Sequence, residues 1–182
     1  MNNCMIYLET LGTLPGSVIL SIGAVFFDPN LPAERCVGHE LYMVVSQSSC
    51  KGLGLHTSQS ALDWWGKQSA EARQVLTQAE GEDALPLRVA LQGLKQFLGT
   101  GTKVWSNGAN FDQPLLDVAY DRVDISLPWK YYNSRCYRTL VNLHANPKDL
   151  WPATVCAHNA LEDAKWQAKH MVAVAQDLGL KL

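Results

Sequence analysis

The first quarter of the chain is written in short runs of β-branched and aromatic residues. "CMIYLET" (4–10) and "SVILSIGAVFF" (17–27) are separated by the turn-forming "LGTLPG", and "HELYMVVS" (39–46) alternates apolar and polar positions in the same way. This pattern predicts three consecutive strands joined by short loops. From Thr57 the period lengthens. "TSQSALDWWGKQ" and "SAEARQVLTQ" read as helical, and "DALPLRVALQGLKQFLG" sets Leu87, Leu91, Leu94 and Leu98 at helical spacing before a terminating Gly99. The short apolar run "KVWSN" predicts a return to the sheet, followed by "GANFDQ" and a helix over "PLLDVAYDRV". Pro114 suits the first turn of that helix, and Asp112 just ahead of it suits a cap. "NALEDAKWQAKHMVAVAQDLG" places Leu161, Ala164, Ala168, Met171, Ala175 and Leu178 on one stripe, which predicts a long amphipathic helix ending at Gly179.

Strands first and helices later, in 182 residues of which 47% are hydrophobic, predict one domain spanning 1–182. A net charge of -2 excludes a protein that holds polyanions by bulk positive charge, so any nucleic-acid binding must come from a local patch or from metal ions. Cys4, Cys36, Cys50, Cys136 and Cys156 are odd in number and contain no Cys-x-x-Cys pair, which argues against a disulfide framework or structural zinc. His39, His56, His144, His158 and His170 show no His-x-x-x-His spacing, which disfavours a zinc hydrolase. "VILSIGAVFF" is too short to cross a bilayer as a helix, and no basic region precedes it. A cytoplasmic protein with no membrane partner is expected.

Candidate chemistry gathers in three places. Residues two apart on a strand share a face, so Tyr7 and Glu9 project together while Ile6 and Leu8 face the other way. Glu9 closes an apolar strand, where an acid is costly unless a cation meets it, or else sits at a solvated strand end. Asp112 follows a strand and a glycine-containing turn. In "HNALEDA", taking Asn159 as N-cap puts Glu162 at N3, completing a capping box. His158 then becomes N′ and Asp163 N4, two positions that face each other, so an imidazole and a carboxylate share one small region.

"YLETLG", "NGANFD" and "HNALEDA", in this order, resemble the three motifs of the DEDDh 3′-to-5′ exonucleases, whose members include ribonuclease T, oligoribonuclease and polymerase proofreading subunits. "LETLGTLPGSVILSIGAVFFDP" and "ALDWWGKQSAEAR" look closer still to the phage and bacterial exonuclease VIII-like branch, which is similar to a mycobacterial exoribonuclease group. The resemblance covers nearly the whole chain. It implies an α/β ribonuclease H-like fold, a central mixed β-sheet flanked by α-helices, with acidic residues at the strand ends. It also implies two Mg²⁺ or Mn²⁺ ions that hydrolyse phosphodiesters of single-stranded DNA or RNA. Glu9, Asp112 and Asp163 match three of the four metal-ligand positions, and His158 matches the general base. Family members are often homodimers.

The fourth ligand position holds Tyr7 where the family has Asp. A neutral phenol with an unperturbed pKa of about 10 is a poor ligand near neutral pH, and its ring is bulky enough to take a cation's place. Weakened metal binding and impaired or lost catalysis are expected. The alternative is a nucleic-acid-binding protein that keeps the scaffold without turnover. Trp64 and Trp65 are candidates for stacking on bases, although at least one is expected in the core. Arg73, Arg135 and Arg138 are candidate phosphate contacts. The "TLPG" turn is a candidate source of backbone N–H groups for the terminal nucleotide.

Overall fold

A computed structural model describes residues 1–152 and 158–182. Cys156 lies outside the described residues. The three expected strands form as β1 (Asn3–Thr10), β2 (Ile19–Phe27) and β3 (Val37–Val44), paired antiparallel in sequence. β4 (Lys103–Ser106) joins the other side of β1 in parallel, and β5 (Ser134–Cys136) extends the sheet in the order β3-β2-β1-β4-β5. The result is the mixed, helix-flanked sheet of a ribonuclease H-like α/β fold.

The alternation in β1 decides what each sheet face holds. Cys4, Ile6 and Leu8 enter one apolar core, with α2 (Gln59–Trp65), α3 (Ala70–Glu80), α4 (Leu87–Leu98) and α5 (Asp112–Arg122) supplying Trp65, Val75, Leu91 and Leu116. Met5 points the other way, into a second core with Val25, Phe27, Ala168 and Met171 beneath α7 (Ala160–Asp177). Tyr7 and Glu9 share the α7 side with Met5. The leucine stripe of α4 is buried as expected, and Gly99 ends that helix with φ 63°. The α7 stripe packs on the second core, with Leu161 and Leu178 half-buried at its ends.

Gly23 sets how closely α7 approaches the sheet. It pairs with Tyr7 across β1 and β2, and a Cβ there would overlap the backbone of Ala160 and Leu161. Only glycine lets the first turn of α7 lie directly on the strand.

Three short elements carry no periodic signal: α1 (Gln47–Gly52), capped by Ser46; β5; and α6 (Tyr137–Val141), capped by the Cys136 thiol. Two local expectations are corrected. Asp112 is the first residue of α5 and not its cap, because its carboxylate is drawn into the core instead. The capping box of α7 forms by half. Asn159 Oδ1 accepts from Leu161 and Glu162 N–H at 3.1 Å each, but the Glu162 carboxylate turns outward to Lys165 at 3.1 Å. No helix is long and apolar enough to cross a membrane among the described residues.

Candidate functional site

β1 delivers Glu9 where its register against β2 shifts, between Glu9 and Thr10. The side chain is 5% exposed, and Oε1 has no hydrogen-bond partner among the described residues. Ser21 stands opposite Glu9 in the antiparallel pair, and its buried Oγ is also unpartnered. Burial, reinforced by Asp163 and Asp112, pushes the Glu9 carboxyl up to about 8. The solvated strand end entertained for Glu9 therefore does not occur.

Asp112 is fully buried. The parallel pairing of β1 with β4 stops at Met5 and Trp105, and Asp112 takes over the strand edge beyond it. Its Oδ1 accepts the Leu8 N–H at 3.0 Å, and its Oδ2 accepts the Asn107 N–H at 3.2 Å. Burial raises its pKa to about 7 against the pull of those two N–H groups.

Asp163 comes from the first turn of α7. Its Oδ2 accepts the His158 backbone N–H at 3.0 Å, so the N′ and N4 residues meet through the backbone, and the His158 imidazole, expected beside the carboxylate, packs against the tryptophans instead. Burial lifts Asp163 to about 6. His158 has φ 68°, a left-handed conformation uncommon outside glycine. Its ring stands edge-on to Trp64 at a centroid distance of 4.8 Å, and burial lowers its pKa.

Tyr7 completes the group. Burial raises its pKa, and Glu9, Asp163 and Asp112 each add to that rise, so the phenol is neutral at physiological pH and feels all three carboxylates. Arg138 lies nearby: its Nη2 donates to the Asn107 carbonyl at 3.2 Å, and its charge opposes the rise at both Tyr7 and Asp112.

A cleft of about 390 Å³ opens over Tyr7, Glu9 and His158, lined also by Gly12, Thr13 and Trp64 among others, whereas Asp112 and Asp163 lie outside its lining. Trp64 is 43% exposed, whereas Trp65 is 1% exposed and donates its indole N–H to the Thr10 carbonyl at 2.9 Å. One of the pair is thus core, as expected, and only Trp64 offers a face. The turn after Glu9 reaches the cleft through Gly12 and Thr13. Of the arginines, Arg138 is beside the acidic group. Arg135 Nη1 is engaged by the Tyr132 and Ser134 carbonyls, and Arg73 is exposed on α3 away from the cleft lining. Phe111, within the second motif, also lines the cleft, whereas Ser21 carried no motif signal; strand register alone brings it opposite Glu9.

The donor set does not fit a two-ion cage. No group of three His, Cys, Asp or Glu side chains stands close enough to share a metal ion among the described residues. Both Asp112 oxygens are engaged by backbone N–H groups, and the remaining member is a phenol. Among the described residues, the unpartnered Glu9 Oε1 is a carboxylate oxygen whose burial calls for a cation.

The sequence is 25% identical over 167 residues to an exodeoxyribonuclease of enterobacteria phage T4, covering 78% of this chain and 71% of that protein. A profile of the 3′-5′ exoribonuclease Rv2179c-like domain matches residues 2–175. The chain belongs to the Rv2179c-like 3′-5′ exoribonuclease domain family.

Proposed function

We propose that this chain is a DEDDh-type 3′-5′ exonuclease of single-stranded nucleic acid whose hydrolytic step is crippled by Tyr7, leaving a protein that engages the 3′ end and turns over slowly or not at all. The observation that carries the reading is the neutral Tyr7 phenol set among Glu9, Asp112 and Asp163. Exonucleases of this family typically use divalent metals.

The chain's own residues have separate tasks. His158, neutral because burial lowers its pKa, is the base that takes a proton from water at the cleft mouth. Trp64 stacks on the terminal base, a role that the burial of Trp65 leaves to it alone. Arg138 faces a phosphate from the Asn107 side.

The test is degradation of 5′-labelled single-stranded DNA and RNA with Mg²⁺ or Mn²⁺, comparing the chain with Tyr7→Asp. Shortening from the 3′ end by Tyr7→Asp alone supports the reading. Equal cleavage by both removes Tyr7 as the lesion. Strand binding without cleavage by either supports a binding protein on a nuclease scaffold.

A further inference from the structure

His158 lines both the cleft over Glu9 and a second groove of about 680 Å³. Its walls come from three elements: Gln74 and Gln78 on α3, Asn159 and Glu162 at the start of α7, and Tyr42 on the edge strand β3. Gln74 and Gln78 are i and i+4, so they share one face of α3 about 6 Å apart along its axis. Both are exposed, and neither side chain has a hydrogen bond among the described residues. Tyr42 is 37% exposed beside them. Among the described residues no Lys or Arg lines the groove, and its Glu162 pairs at 3.1 Å with Lys165, which it shares with Glu40 at 3.2 Å.

That lining is wrong for phosphates and suited to bases. A sugar-phosphate backbone would meet Glu71 and no cation. Base edges would meet side-chain amides that both donate and accept, and base faces would meet a phenol ring. We propose that this groove holds the nucleotides immediately preceding the 3′-terminal one, with bases turned toward Gln74, Gln78 and Tyr42 and phosphates toward solvent. The proposal rests on the reading that the first cleft takes the 3′ terminus. It assigns the groove to base recognition, which makes binding depend on strand length and on the presence of inner bases.

The experiment is fluorescence anisotropy in EDTA with 5′-labelled DNA and RNA strands of two, four and six nucleotides. Affinity should tighten about tenfold between two and four nucleotides. A four-nucleotide strand with abasic inner positions should lose that gain. The Gln74→Ala, Gln78→Ala double variant and Tyr42→Ala should lose it as well, while two-nucleotide strands, which place a single base in the groove, should lose less affinity in these variants than four-nucleotide strands do. If the gain survives in both variants, the strand leaves by another route and the proposal falls, with the 3′-end reading intact. If no strand of any length binds, both fall together.

Discussion

The Leu8 N–H donates to the Asp112 carboxylate at 3.0 Å, joining a strand to a helix 104 residues later in the chain. With the Asn107 N–H on the other oxygen, the pair replaces the strand ladder that β4 no longer supplies. Each buried donor left without an acceptor costs about 1–3 kcal/mol. Asp112→Ala should therefore destabilise the protein by about 3 kcal/mol, and Asp112→Asn, which keeps one acceptor oxygen, by roughly half of that. Urea unfolding of the two variants measures both. Equal, negligible losses would mean that water replaces the carboxylate.

Acidity in the same group couples stability to pH. Glu9 is raised to about 8, from an ordinary carboxylate value of 4.5. A raised folded-state pKa means that the folded protein holds a proton the unfolded chain has released, so this contribution is full below the unfolded value and is lost as pH rises through the folded one. The melting temperature of the parent relative to Glu9→Gln should accordingly fall from about pH 5 to about pH 8. Asp112 and Asp163, raised to about 7 and about 6, act in the same direction. A flat difference across that window would show that Glu9 titrates normally.

Gly23 gives a steric prediction. A Cβ there overlaps the Ala160 and Leu161 backbone, so Gly23→Ala must lift the first turn of α7 from the sheet. Overpacking of this kind costs about 1–3 kcal/mol. The shift also moves Asp163, so strand binding by Gly23→Ala should weaken more than its loss of stability explains. Anisotropy well below the unfolding temperature separates the two effects.

Much of this arrangement was readable in the residues, and the exceptions share a cause. The α4 and α7 stripes and the period of β1 are local signals, and the structure keeps them. β5 spans three residues, too few for any period to emerge, and forms because β4 offers it a partner edge. α1 is written "QSSCKG", poor in helix formers, and is held by Cys50 in the core and by its Ser46 cap. Asp112 follows the local rule for a helix cap, but its Leu8 partner lies on a strand that no local rule connects to it. Ser21 meets Glu9 only through the antiparallel register of β1 on β2, which neither strand announces alone. His158 and Asp163 were legible because their meeting is set within one helix start.

The two adjacent tryptophans should separate stability from binding. Trp65 Nε1 donates to the buried Thr10 carbonyl at 2.9 Å, one residue from Glu9, so Trp65→Phe leaves that acceptor unpaired and costs about 1–3 kcal/mol. Trp64 is 43% exposed and packs edge-on against the His158 ring. Trp64→Ala should change stability by less than about 1 kcal/mol while weakening strand binding by about 1–3 kcal/mol through the lost stacking face. It also exposes the imidazole to water. Because burial is what lowers the His158 pKa, the variant's value should move back up, and NMR titration of the His158 ring protons will register the shift. A weaker affinity with an unmoved His158 titration would confine Trp64 to base stacking. A moved titration with unchanged affinity would make it a wall for the imidazole alone.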